Sequence, residues 1–286
     1  MLVSMKSILD RANKGNYGVM AINIFNLESS YLTIEAAEEL KAPLILDLFM
    51  QHMQTDLPME IVLPAILHLA DQAKVEVAVN LDHGKDEDYV KQGINEGFTG
   101  VMIDMSEHPY DENVQITKEI VRLAHAKNIA VEAEIGAMGA TAGKQFTHGK
   151  MFTDPDQAID FIQKTGIDAC ALSFGSSHGL MPKGYVPEFH CDIVKKVKFA
   201  THIPLVLHGG SGCGTKNIQD SVKAGINKIN VGSDVMHAQS ESLRQQYEKN
   251  PDRDFVEIIS TTLNPAKEVV KNYIKISGSG GKTVIN

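Results

Sequence analysis

Residues 75–84 read VEVAVNLDHG, an apolar run that stops on a carboxylate and an imidazole, Asp82 and His83. Four other runs stop on residues able to bind a metal or move a proton. They are GVMID (100–104) on Asp104, IAVEAE (129–134) on Glu134, CALSFGSSHG (170–179) on His178, and IPLVLHGGSG (203–212) on His208. A sixth, INKINVGSD (226–234), ends on Asn230 and a small polar turn. Carboxylates and imidazoles gathered at the carboxyl ends of successive strands point to one site on one face of a barrel.

Working outward, YGVMAIN (17–23), APLILDL (42–48) and the start of IDACALSF (167–174) complete a set of short runs dense in Val, Ile, Leu and Ala. Most lack strict alternation, which is how a strand buried on both faces reads. Amphipathic stretches lie between them. NLESSYLTIEAAEEL opens on Asn26 as a cap. DENVQITKEIVRLAHAK carries Val114, Ile116, Ile120, Val121 and Leu123 on one stripe. DPDQAIDFIQKTG has Asp154 as cap, Pro155 in the first turn and Gly166 at its end. Strand alternating with helix implies a parallel sheet. About eight such units predict a closed α/β barrel, the (β/α)8 or TIM barrel, rather than an open doubly wound sheet. Residues 1–286 read as a single domain of that kind.

Two segments break the rhythm. Residues 136–152 (GAMGATAGKQFTHGKMF) are Gly-rich and read as a mobile loop over the site, and residues 175–189 form a second long loop. After the last strand come two extra helical stretches, VMHAQSESLRQQYEKN and NPAKEVVKNYIKI, and residues 275–286 read as a frayed, flexible tail.

The chain has 286 residues, 43% of them hydrophobic and 22% charged, enough for one large core. A net charge of -9 argues against a nucleic-acid surface. It leaves anionic substrates open, because local Lys, metal ions and backbone N–H groups outweigh a global charge. No run approaches the ~18 apolar residues of a membrane span, and the opening MLVSMKSILDRANKG is amphipathic and charged, unlike a signal peptide. Three cysteines at no metal-type spacing fit a reduced cytoplasm.

On a barrel, the ends of the third, sixth and seventh strands converge on one mouth, which would bring His83, His178 and His208 together. Three imidazoles with an open fourth position match a catalytic Zn²⁺ better than Mg²⁺, which prefers oxygen. Asp82 beside them is placed to orient a ligand or to act as an acid/base. Asp104 and Glu134 read either as partners of a histidine ligand or as plain polar strand ends. The turns HGGSG and NVGSD supply small residues whose N–H groups can close around an anion, where many barrels hold phosphate. Lys183 in the second loop adds positive charge nearby.

With these residues placed, the chain resembles the class II, zinc-dependent ketose-bisphosphate aldolases, the fructose- and tagatose-bisphosphate type. The resemblance runs along almost the whole chain through NLESSYLTIEAAEELKAPLIL, NLDHG, VMIDMSEHPYDENVQITKEIV, VEAEIG, TGIDACALSFGSSHG, IPLVLHGGSG and KINVGSD. It implies Asp82 as the catalytic acid/base and His83, His178 and His208 as zinc ligands, with Asp104 and Glu134 as alternative or second-site ligands. It implies that dihydroxyacetone phosphate is held by Gly179, by Gly209, Gly210 and Ser211, and by Asn230, Val231, Gly232 and Ser233. A monovalent cation, Na⁺ or K⁺, is expected near that phosphate, and a homodimer or homotetramer in the cytoplasm. The implied reaction is reversible cleavage of a ketose 1-phosphate or 1,6-bisphosphate to dihydroxyacetone phosphate and an aldehyde.

The departures from the family pattern fall on the aldehyde side. Ala142 stands where relatives often carry a proton-moving Glu, Phe49 where they often have a small polar residue, and Asn80 where His is common. At Gly232, fructose enzymes often carry Asp and tagatose enzymes Ala. Met236 stands where relatives often place Arg or Lys near the distal phosphate. Two alternatives follow: the same chemistry on an aldehyde other than glyceraldehyde 3-phosphate, or a sugar-phosphate-binding protein that has lost turnover. A barrel hydrolase would want an early H-x-H pair, and YGVMAINIFN has none.

Overall fold

The structure, a computed structural model, describes residues 1–136, 139–140, 152–179, 181–182 and 184–284. Most of the loop expected over 136–152, with Ala142 in it, lies outside the described residues, and so does Lys183. The chain order is α1 (Met5–Gly15), β1 (Val19–Ile24), α2 (Leu27–Leu40), β2 (Leu44–Phe49), α3 (Met50–Thr55), α4 (Met59–Gln72), β3 (Val77–Gly84) and α5 (Glu87–Glu96). It continues with β4 (Gly100–Ile103), α6 (Tyr110–His125), β5 (Ala130–Ile135), β6 (Gly139–Ala140), α7 (Pro155–Thr165), β7 (Ala169–Leu172) and β8 (Ser177–His178). It closes with α8 (Cys191–Thr201), β9 (Leu205–Leu207), α9 (Gly214–Ala224), β10 (Ile226–Val231), α10 (Ser233–Lys249) and α11 (Phe255–Ser277).

Eight parallel strands close into a barrel in the order β1-β10-β9-β7-β5-β4-β3-β2, the (β/α)8 architecture that the sequence predicts, while β6 and β8 pair separately. The expected helix signals hold. Asn26 accepts from the Ser29 N–H in a capping box, and Asp154 caps α7, which ends on left-handed Gly166.

The strands divide their side chains between two cores. Met20, Ile22, Leu44, Leu46, Val77, Val79 and Leu81 point outward to the helices. Ala21, Ile45, Ala78, Ala130, Ala171 and Val206 point inward and pack against Met5, Ile8, Leu9 and Ala12 of α1, which plugs the amino-terminal end. Above that plug the interior turns polar: Asp47, Asn80, Glu132 and Lys228 are all fully buried. The carboxyl ends of the strands then open as a mouth.

Two expectations need correction. The helical stretch read from Asn264 begins at Phe255, because Asp254 caps it by accepting from the Val256 and Glu257 N–H groups, and Pro265 lies inside the helix. Residues 275–284 are no loose tail. Lys275–Ser277 finish α11, and beyond it the Gly281 N–H donates to the Leu40 carbonyl (2.9 Å) and the Thr283 N–H to the Lys41 carbonyl (3.1 Å). The Glu76 N–H donates to Thr283 Oγ1 (3.0 Å), and the Val284 N–H to a Glu76 carboxylate oxygen (2.9 Å). A chain end fixed by this many backbone bonds does not fray. Ile285 and Asn286 lie outside the described residues.

Candidate metal and substrate site

In a regular strand, adjacent residues face opposite sides, so Asp82 facing the interior would send His83 into the helix layer. A β-bulge prevents this. Leu81 pairs with Val101 and Gly84 with Ile103, so one extra residue enters β3 there. His83 itself is left-handed, at φ +50°. That conformation costs a non-glycine residue roughly 1–2 kcal/mol, and it turns both Asp82 and His83 into the mouth.

His178 arrives from β8 and His208 from the turn after β9. Each of the three imidazoles offers one ring nitrogen, and these atoms all lie within 4.8 Å of one another. His83 Nε2 and His208 Nδ1 are 3.0 Å apart. Tetrahedral bonds of ~2.0–2.1 Å would set ligand nitrogens about 3.3 Å apart, so the cluster is close to the size of one zinc centre. Their other nitrogens are occupied: His83 Nδ1 meets Asp104 Oδ2 at 2.8 Å, and His208 Nε2 meets Glu132 Oε1 at 2.8 Å. A carboxylate on the far nitrogen fixes the tautomer and leaves the near one free to ligate. Among the described residues, His178 Nε2 and Glu134 Oε2 are buried with no hydrogen-bond partner. Both residues line the same cavity, and orphaned buried polar atoms there are what a cation-binding site leaves when only protein atoms are counted. His83, Asp104 and Glu134 form a second, overlapping group of the same compactness.

Charge at the mouth follows from burial and neighbours. Burial works against the Asp82 carboxylate, but His83, His208 and Lys228 outweigh it and hold its pKa below the ordinary range. Two amides also grip it: Asn23 Nδ2 donates to Oδ2 at 2.7 Å and Asn230 Nδ2 to Oδ1 at 3.3 Å. For His83, burial disfavours the cation, yet Asp82 and the Asp104 bond raise its pKa to about 9. Burial and repulsion from the other two rings push His178 down to about 3. Burial and the Asp104 charge raise Glu134 to about 8. Beneath them, Lys228 Nζ donates to Glu132 Oε2 (2.7 Å) and lies 3.4 Å from Asp47 Oδ2, while Asn80 Nδ2 donates to Asp47 Oδ1 (2.9 Å).

The three histidines and Asp82 line one cavity of about 370 Å³. Gly179, Gly209, Ser211, Asn230, Gly232 and Ser233 line it too, and Phe49, His52, Lys85 and Met236 also border it. Two expected residues stand behind it. Val231 is fully buried, and Gly210 donates its N–H to the Asn230 carbonyl, tying the two turns together. Ser211 Oγ accepts from the Asp234 N–H (3.2 Å), and Asp234 Oδ2 accepts from the Gly212 N–H (3.0 Å) and from Tyr273 (2.6 Å). The N-terminus of α10 therefore faces the cavity beside the β9 turn, a geometry suited to an anion.

Sequence reasoning missed Asn23, Glu132 and Lys228. The signal was present: Glu132 precedes Glu134 by two in IAVEAE, and Lys228 precedes Asn230 by two in INKIN, so each pair shares the interior face.

A family model described as class-II fructose-bisphosphate aldolase matches residues 3–282. The fructose-bisphosphate aldolase of Geobacillus stearothermophilus is 37% identical over 288 residues, covering 98% of both chains. That of Staphylococcus aureus is 36% identical, covering 96% of this chain and 95% of its own. Among solved structures, the YdjI aldolase from Escherichia coli K12 superposes with a TM-score of 0.87 at 30% identity, covering 99% of this chain and 100% of its own. This chain therefore belongs to the class-II fructose-bisphosphate aldolase family, zinc-dependent aldehyde-lyases whose reaction yields dihydroxyacetone phosphate and an aldehyde.

Proposed function

We propose that this chain reversibly cleaves a ketose 1-phosphate or ketose 1,6-bisphosphate of the fructose or tagatose type. One observation carries the reading: three histidine nitrogens and an ionised, doubly gripped Asp82 share one cavity with two tied small-residue turns. His83, His178 and His208 would hold zinc, with Asp104 and Glu134 as alternative ligands. Zinc, when bound, supplies a Lewis acid for the ketone end of the substrate. Asp82 takes the proton from the hydroxyl whose carbon–carbon bond breaks, and returns it in synthesis. The amides of Asn23 and Asn230 leave that carboxylate little rotational freedom, so it is aimed before substrate arrives.

The triose phosphate sits against Gly179, Gly209–Ser211 and Asn230–Ser233, with Lys183 and a monovalent cation, Na⁺ or K⁺, as further counter-charge. No described helix is long and apolar enough to cross a membrane, and the proposal extends to a cytoplasmic homodimer or homotetramer. Light scattering checks the oligomeric state.

The test is a panel of fructose- and tagatose-configured 1-phosphates and 1,6-bisphosphates, read by release of dihydroxyacetone phosphate from the zinc-loaded protein. Asp82→Asn should lower turnover by ~10²–10⁴ at unchanged zinc content. Release from no panel member would leave a sugar-phosphate-binding protein instead. Because Phe49 and Met236 offer no cation and Lys85, which also borders the cavity, is paired with Glu107 at 2.7 Å, kcat/KM for a bisphosphate should exceed that for the matching 1-phosphate by less than about a hundredfold, roughly 2.7 kcal/mol.

A further inference from the structure

The cavity at the histidines is walled in part by Phe49 and His52. A second cavity, of about 390 Å³, shares Phe49 and His52 with it and runs between the start of α2, the end of β2 and the α3–α4 segment. Its wall is largely apolar, built by Ile24, Leu48, Met53, Leu57, Val62 and Ile66. Most of that wall is buried, whereas Leu57, at the outer rim, is 38% exposed.

The junction lies close to the chemistry. The Phe49 ring meets His83 edge-on with centroids 5.9 Å apart, and meets His52 in the same manner at 5.3 Å. His52 Nδ1 is buried and has no hydrogen-bond partner among the described residues. The two rings themselves, rather than that nitrogen, are what both cavities have in common. The wall of the second cavity is mostly apolar, with Asn26 and Asp56 as its polar members beside His52.

We infer that the second cavity is an annexe of the aldehyde subsite, and that the chain takes aldehydes bearing an apolar substituent which passes the Phe49–His52 pair and lies against Leu48, Met53, Val62 and Ile66. The inference rests on the aldolase reading above and specifies its substrate class. Phe49 and His52 then determine specificity, because their rings form the wall along which the substituent runs.

The experiment uses the zinc-loaded full chain in the synthetic direction, with dihydroxyacetone phosphate and a series of aldehydes: propanal, butanal, pentanal and hexanal. Consumption of dihydroxyacetone phosphate gives kcat/KM for each. Burial of each added methylene should raise it about three- to fourfold, so hexanal, with three more, should exceed propanal by roughly 30- to 60-fold. Val62→Phe, which fills the annexe, should flatten the series. Leu57→Trp, at the exposed rim, closes the same space without burdening the core, and should flatten it too. Equal kcat/KM for propanal and hexanal in the unaltered protein, or a series as steep in Leu57→Trp as before, would overturn the annexe. Failure of every alkanal to consume dihydroxyacetone phosphate would overturn the annexe if glyceraldehyde or glyceraldehyde 3-phosphate still consumes it, and the aldolase reading itself if neither does.

Discussion

At the residue scale the decisive relation is between a histidine and the carboxylate behind it. Glu132 accepts from His208 Nε2 and is itself held by Lys228, and all three side chains are essentially out of solvent. Burial opposes the Glu132 carboxylate, but Lys228 and His208 outweigh it and keep its pKa below the usual range. A full negative charge there makes His208 Nδ1 a better donor and locks its tautomer. Glu132→Gln keeps an acceptor of the same shape and removes the charge. Zinc affinity per folded molecule, measured by chelator competition, should fall about 10–100-fold. Lys228 keeps Asp47 at 3.4 Å as a counter-charge, so part of the protein should still fold. Unchanged zinc affinity would reduce Glu132 to a purely structural partner of Lys228.

The same scale sets a pH dependence. His83 must give up a proton to use both ring nitrogens, and its pKa in the metal-free protein is raised to about 9 by Asp82 and Asp104 against burial. Zinc affinity should therefore strengthen as pH rises from 6 toward 9, by up to about tenfold per unit where one proton is displaced. In the metal-free protein the sign for stability is opposite. The raised pKa means the fold binds the proton more tightly than the unfolded chain does. That stabilisation is complete below an unfolded value of about 6.5 and is lost as pH passes through about 9. Titrating chelator-stripped and zinc-loaded protein side by side separates the two slopes.

At the element scale, the site depends on backbones that touch. Gly209 has φ +64°, and a Cβ there would lie 2.3 Å from the Ser177 carbonyl oxygen, one residue before His178. The β9 turn and β8 thus carry two of the three histidines on segments packed main chain to main chain. Gly209→Ala combines a left-handed alanine with a backbone clash, so the turn must move away from β8. It should lose about 1–3 kcal/mol of stability and most of its zinc. Retention of full zinc content would mean that the turn moves without carrying His208. This coupling was invisible in the sequence, where HGGSG suggests a phosphate turn but not what presses on it. The bulge was equally hidden: Asp82-His83 at a strand end announces chemistry, yet only the extra residue against β4 explains how both side chains reach one mouth. By contrast, the strand runs, the Asn26 and Asp154 caps and the three histidines were legible, because each rests on local pattern or on the convergence that any parallel barrel enforces. Glu132 and Lys228 were lost because a charged residue inside an apolar run looks like a strand's exposed face until the closed interior is known.

At the scale of the whole molecule, the two ends of the barrel have separate duties. The carboxyl ends of the strands carry the histidines. The amino ends are closed by α1 and by residues 281–284, which bond to Leu40, Lys41 and Glu76 just before β2 and β3. Glu76 is the hub of that closure: it also pairs with Arg11 of α1 at 2.6 Å, so the chain's last described residues and its first helix meet on one carboxylate. Removing residues 281–286 deletes the four hydrogen bonds that tie the chain to Leu40, Lys41 and Glu76, each worth about 0.5–1.5 kcal/mol net, and leaves Glu76 half-satisfied. Unfolding free energy should fall by about 2–4 kcal/mol and Tm by roughly 5–15 °C. The plug of α1 and the buried Asp47–Lys228–Glu132 layer stand between this closure and the mouth, so zinc content and kcat/KM at a temperature well below the transition should stay within about twofold, the scatter of a site left in place. A truncated protein with an unchanged Tm but a tenfold loss of kcat/KM would reverse the argument, placing the chain end in the chemistry rather than in the closure of the barrel.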